Sequence, residues 1–178
     1  MNRRSMLYGG AAAVAAAAGA GVAWRKIQPH QTVSAVSASA NGADPFWSLS
    51  FDTPDGRPLT MNTFRGKPLL VNFWGTWCPP CIEELPLLNS FYVANKARGW
   101  QLLGLAVDQP SAVRKWLQAK PLDFAVGMAG LGGTELSKAM GNTAGSLPFT
   151  VVFDAAGQVQ HRKIGKVTPE ELKLWAAA

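Results

Sequence analysis

Cysteine and histidine are scarce in this chain, two of each among 178 residues. Two cysteines exclude a scaffold held by several disulfides. With only His30 and His161 beside them, the four ligands of a structural zinc site are not at hand. Net charge is also scarce once the start of the chain is set aside. Arg3, Arg4, Arg25 and Lys26 supply much of the +6 total; residues 31–178 carry thirteen Lys and Arg against eleven Asp and Glu, a balance of +2. That excludes the broad basic face a nucleic acid partner requires. No internal repeat is present, and the length beyond the leader suits one domain.

Charge is missing altogether from Leu7 to Trp24, an Ala- and Gly-dominated run behind the basic start Met1-Asn2-Arg3-Arg4. This pattern predicts a signal peptide or an N-terminal membrane anchor over residues 1–27. Arg3-Arg4 followed by Ser-Met-Leu fits a twin-arginine signal as well as an ordinary leader. Residues 28–44, rich in Ser, Ala and Gln, read as a flexible tether, with Ala38-Ser39-Ala40 as a cleavage candidate. The folded domain is expected over residues 45–178, exported or tethered.

What the domain does have is concentrated at Trp77-Cys78-Pro79-Pro80-Cys81. Leu69 to Trp74 before it is an uncharged apolar run, the mark of a buried strand. Ile82, Leu85 and Leu88 after it recur at helical spacing. The cysteines therefore sit where a strand ends and a helix begins. Cys78 is the expected N-cap, with Pro79 and Pro80 in the first turn, where a missing N–H costs nothing. The C-x-x-C spacing brings the sulfurs together as a short-loop disulfide. The helix dipole favours a thiolate at Cys78. Cys78 is thus read as an exposed attacking thiolate and Cys81 as the resolving thiol, with packing alone the lesser reading.

This stretch resembles the active site of the thioredoxin superfamily. More narrowly it is similar to the TlpA/ResA-like group of membrane-tethered, extracytoplasmic thiol–disulfide oxidoreductases. The matching features are Val71-Asn72-Phe73-Trp74, Trp77, Cys78, Cys81, Glu84 and Pro86, and the similarity extends from about Phe46 to Ala178. The resemblance implies an α/β, thioredoxin-like fold, a central mixed β-sheet flanked by helices with an N-terminal β-hairpin extension. It implies no cofactor beyond the redox-active Cys78–Cys81 disulfide and no metal. It places a cis-proline at Leu147-Pro148 beside the cysteines, and a client surface at Trp77, Pro79, Pro80, Leu147 and Pro148. Phe149 departs from the Thr or small residue of many relatives. The implied partners are protein thiol/disulfide clients such as apocytochrome c or a copper-site assembly protein, a transmembrane electron donor, and the membrane through the N-terminal segment. The implied location is periplasmic or otherwise extracytoplasmic.

Asn72 stands where a cytoplasmic thioredoxin has a buried aspartate, and an amide cannot carry the proton of Cys81. Glu84, one helical turn past Cys81, is the candidate acid or base; the bland alternative makes Glu83 and Glu84 solvated surface acids.

Along the rest of the domain, Phe46 to Phe51 reads as a strand and Asp55-Gly56 as the turn of an N-terminal hairpin. The active-site helix is expected to run to Gly99, bent at Pro86. Trp100 to Val107 reads as a second buried strand, and Pro110 starts a helix with Val113, Trp116 and Leu117 inward. Phe124 to Val126 reads as a short strand, and Thr134 as the cap of a brief helix ended by Gly141. Val151 to Phe153 and Gln158 to Ile164 form a hairpin, and Thr168-Pro169-Glu170-Glu171 is a capping box on the last helix. His161 is read as a surface residue.

Pro79 and Pro80 offer Cys78 no N–H, so its thiolate is poorly stabilised and the pair is expected to reduce rather than form disulfides. The alternatives are a disulfide-forming oxidase and a copper-binding metallochaperone using the two sulfurs as soft ligands. A thiol peroxidase is excluded by Gly75, which stands where such enzymes carry Thr or Ser.

Overall fold

The computed structural model describes residues 45–177. The leader, the tether and the cleavage candidate lie outside them. Among the described residues no helix is long and apolar enough to cross a membrane.

Seven strands form one mixed sheet in the order β2-β1-β5-β4-β3-β6-β7. The strands are β1 (Ser50–Asp52), β2 (Pro58–Thr60), β3 (Leu69–Trp74), β4 (Gln101–Ala106), β5 (Ala125–Met128), β6 (Phe149–Phe153) and β7 (Val159–Ile164). Among the described residues four α-helices accompany them: α1 (Pro79–Asn95), α2 (Pro110–Ala119), α3 (Gly133–Ala139) and α4 (Pro169–Ala177). β3, β4 and β5 run parallel, and β1, β2, β6 and β7 pair antiparallel with their neighbours. This is a thioredoxin-like fold with the hairpin β1–β2 added beside β5.

β3 lies inside the sheet between β4 and β6, and all six of its residues are buried. An uncharged run is what a strand covered on both faces requires. Leu70 and Trp74 face one way, into a core with Leu85 and Leu88 of α1, Val113 of α2 and Leu172 and Trp175 of α4. Leu69, Val71 and Phe73 face the other way, with Phe149, Val151 and Phe153 of β6 and with Phe46, Trp47 and Met61. Asn72, between Leu70 and Trp74, points into the helix-covered layer that also holds both cysteines.

The extension differs from the expected strand. Pro45–Ser48 is a 3-10 turn, and β1 is confined to Ser50–Asp52. Phe46 and Trp47 are both buried. Two adjacent inward side chains are incompatible with the alternation of a strand. The hairpin itself is present, closed through Gly56 at φ 80°. α3 begins one residue before Thr134, with Gly132 as its N-cap. A Cβ on Gly133 would lie 2.7 Å from that of Ala129, so close packing decides this start rather than a hydroxyl cap. The capping box on α4 forms as expected: the Thr168 N–H donates to Glu171 Oε2 at 2.9 Å, and the Glu171 N–H to Thr168 Oγ1 at 3.2 Å. α1 stays helical through Pro86 and gives way to a 3-10 turn before Gly99, whose φ is 95°. His161 stacks on Trp175 with centroids 5.5 Å apart, so it is a packed residue rather than a fully solvated one.

Candidate active site

β3 ends at Trp74 and α1 starts at Pro79, so four residues carry the chain from the sheet to the helix. Cys78 is the N-cap, in extended conformation, and Pro79 and Pro80 occupy the first turn. The Ile82 N–H donates to the Cys78 carbonyl at 3.1 Å, which opens the helical ladder. Cys78 and Cys81 are joined as a disulfide, with Cα atoms 5.3 Å apart. Cys78 is 4 % exposed and Cys81 fully buried. The expectation of an exposed Cys78 is corrected here: in the oxidised form its sulfur is part of the apolar cluster against which Leu147 packs. Of the two, Cys78 alone retains surface.

The residues before the cysteines are tied to the end of β4. Asp108 Oδ2 accepts from the Thr76 N–H at 2.7 Å and from the Thr76 hydroxyl at 2.6 Å. Its other oxygen accepts from the Gln109 N–H at 2.7 Å. Trp77 Nε1 donates to the Val107 carbonyl at 2.9 Å, which holds the indole back over Gly75. A Cβ there would lie 2.7 Å from Trp77 Nε1, so glycine makes room for the ring. Trp77 is nonetheless 63 % exposed. Pro79 is exposed and Pro80 half-buried. Asp108→Ala leaves two Thr76 donors without their acceptor and is expected to cost about 1–3 kcal/mol. It should also loosen the loop ahead of Cys78. Thermal melting and the emission of Trp77 check this together, and an unchanged midpoint would remove Asp108 from the site.

Glu84 is not a solvated acid. It is 1 % exposed and lies with Cys81, Leu85 and Leu88 on the buried stripe of α1, whereas Glu83 faces solvent and pairs with Lys166 at 2.8 Å. Glu84 Oε1 accepts from Asn72 Nδ2 at 2.8 Å, and Oε2 from the Val167 N–H at 3.0 Å. Burial pushes its carboxyl above the ordinary range; the hydrogen bonds from Val167 and Asn72 and the Lys166 charge oppose that only partly. Asn72 Nδ2 also donates to Thr150 Oγ1 at 3.0 Å, its register partner on β6. Asn72 Oδ1 is buried and has no hydrogen-bond partner among the described residues.

The Leu147-Pro148 peptide is cis. The Ser146 carbonyl accepts from Asn142 Nδ2 and the Pro148 carbonyl from the Gly165 N–H. The Leu147 N–H and carbonyl between them have no partner among the described residues.

Sequence reasoning did not single out Thr76, Asp108, Thr150 or Val167 for the site. Asp108 had one signal, an acid where a strand next to the cysteine strand ends.

Residues 38–175 match the model of the Redoxin family. The chain belongs to the Redoxin family. Its relatives include a thiol-disulfide oxidoreductase ResA of Bacillus cereus, 31 % identical over 121 residues, 67 % of each chain. The sporulation thiol-disulfide oxidoreductase A of Bacillus subtilis is 30 % identical over 127 residues, 69 % of this chain and 74 % of that one. Among solved structures, a thioredoxin family thiol:disulfide interchange protein from Chlorobium tepidum TLS superposes with TM-score 0.65 at 28 % identity, over 73 % of this chain and 91 % of that one. This Redoxin-family chain is a thiol–disulfide oxidoreductase with Cys78 and Cys81 as its redox pair.

Proposed function

We propose that the protein reduces protein disulfides in an extracytoplasmic compartment, reached through the leader over residues 1–27 and the tether over 28–44. Cys78 attacks one sulfur of the client disulfide, and the other client sulfur leaves as a thiolate and takes a proton. Cys81 then passes its proton to the Glu84 carboxylate and attacks Cys78 Sγ, and the second client sulfur leaves with the bonding electron pair. Two electrons have passed to the client, and the protein is left as the disulfide. An oxidising compartment does not return the pair to the dithiol, so a transmembrane electron donor must do so.

The direction rests on the first turn of α1. Pro79 and Pro80 have no N–H, and the Ile82 N–H is taken by the Cys78 carbonyl, so Cys81 N–H alone in that turn is left for a Cys78 thiolate. A thiolate so poorly supplied with donors leaves the reduced form weakly stabilised and the pair a good reductant. The unpaired Leu147 N–H and carbonyl support docking of an extended client segment as an added strand, with Trp77, Pro79, Pro80 and Pro148 around it. The clients in this reading are of the apocytochrome c or copper-site assembly type.

The deciding experiment is the equilibrium reduction potential of the Cys78–Cys81 pair against glutathione or dithiothreitol. A value more negative than about −220 mV is expected. A value near about −120 mV, where strong protein oxidants lie, would reverse the direction.

A further inference from the structure

Glu84 is held by two donors of different kinds. The Val167 N–H at Oε2 is backbone and cannot become an acceptor. The donor at Oε1 is the Asn72 side-chain amide, which carries an acceptor on its other arm. When Glu84 gains a proton, Oε2 is already committed to Val167, so the proton belongs on Oε1. There it meets Asn72 Nδ2 2.8 Å away, one donor against another. A half-turn of the amide removes the conflict by bringing Oδ1, which has no partner among the described residues, to the place Nδ2 holds. The third group at that place follows without strain, because the Thr150 hydroxyl 3.0 Å from Nδ2 both accepts and donates.

We propose that Asn72 is a positioning residue whose amide turns over with the proton on Glu84, donating through Nδ2 to the carboxylate and accepting through Oδ1 from the carboxylic acid. The inference rests on Glu84 as the group that takes the Cys81 proton, and adds how a fully buried acid is supported in both of its states. The proton leaves Cys81 Sγ and forms an O–H bond at Glu84 Oε1. The electron pair left on sulfur forms the bond to Cys78, and the client sulfur departs with its own pair. An apolar residue at position 72 serves neither state of Glu84. An aspartate there competes for the same proton.

The charged and titratable groups around Glu84 are few. Cys78 and Cys81 share its helix; Glu83, beside it, is paired with Lys166, whose charge reaches Glu84 from the segment after β7. Lys163 on β7, in register with Thr150, is engaged by Glu171 of α4. None of these is in position to replace the Asn72 contact at Oε1.

The test follows the side-chain NH2 resonances of Asn72 and the carboxyl carbon of Glu84 in the isotopically labelled full-length chain across a pH series. The expected result is one shared midpoint, with the Asn72 response lost in Glu84→Gln. Asn72 signals that stay flat while Glu84 titrates would overturn the turnover of the amide. A kinetic arm uses release of client thiol from the Cys78 mixed disulfide. Asn72→Leu removes the support of both states, and the bond to the charged carboxylate is the stronger of the two. The rising limb of the pH profile is therefore expected to move upward by about one unit, a slowing of about tenfold on that limb with the plateau unchanged. A uniform slowing at every pH would mean that Asn72 only supports the fold, and would overturn the proposal. Glu84→Gln separates the two levels: if it leaves the limb intact, the role of Glu84 itself fails. If it removes the limb while Asn72→Leu does not shift it, the inference about Asn72 alone fails.

Discussion

Cys78→Ser is expected to lower disulfide reduction to the uncatalysed rate while the domain remains folded. A hydroxyl at the N-cap keeps the local geometry, since serine is a favoured residue there. It does not supply a thiolate, and the one cysteine that remains, Cys81, is fully buried. Cys81→Ser gives the informative contrast. Cys78 still attacks, but the mixed disulfide is not resolved and accumulates as a covalent adduct with the client. Turnover with a small disulfide-bonded protein, followed by non-reducing electrophoresis of both variants, measures the pair of outcomes. Substantial catalysis by Cys78→Ser would mean that the exposed edge of the pair has been assigned to the wrong sulfur. The near-complete burial of Cys81 beside a slightly exposed Cys78 is what makes the assignment asymmetric.

The second large effect concerns stability, at a residue far in sequence from the cysteines. Trp47→Ala is expected to destabilise the domain by about 3–5 kcal/mol, the range for large aromatics removed from a core. Trp47 packs edge-on against Phe46 and Phe153 with centroids 5.2 and 5.0 Å away, and its Nε1 donates to the Gly157 carbonyl at 3.1 Å. Arg65 covers the ring at 5.4 Å. Gly157 has φ 83°, and a Cβ there would stand 3.0 Å from Trp47 Nε1, so the turn between β6 and β7 is fitted to the indole. Against a total stability of about 5–15 kcal/mol, the loss is a large fraction of what holds the domain together. Trp47→Phe retains a ring and forfeits the hydrogen bond, and should cost about 1–2 kcal/mol. Denaturant midpoints of the three proteins check this. A loss below about 1 kcal/mol for Trp47→Ala would mean that the N-terminal extension is an appendage rather than part of the core.

The elements closest to the chemistry were the most legible from sequence. β3 announced itself because a strand buried on both faces has no room for charge. The start of α1 was marked by two adjacent prolines, which a first helical turn accepts because its N–H groups have no intrahelical partner. The capping box of α4 is local, and local chemistry is readable. What was missed depends on distance. Asp108 and Thr76 are 32 residues apart and meet because parallel strands end side by side. The burial of Glu84 is completed by Val167, 83 residues downstream, so no window around Glu84 tells it from Glu83. Phe46 to Phe51 reads as a strand from its loose alternation of apolar and polar residues, yet the side chains of Phe46 and Trp47 both turn inward, which the alternation of a strand does not permit.

The disulfide closes a ring over a sequence separation of three. Restricting so small a loop in the unfolded chain is worth only about 2 kcal/mol on the chain-entropy account, against nearly 5 for a loop of a hundred residues. Opening it therefore removes little of what keeps the domain folded, and the sheet, the helices and the packing of Phe46, Trp47 and Phe153 persist in both redox states. A protein that must break and remake a covalent bond at every turnover is served by a cross-link of this kind, which acts as a reagent carried by the fold rather than as a brace for it.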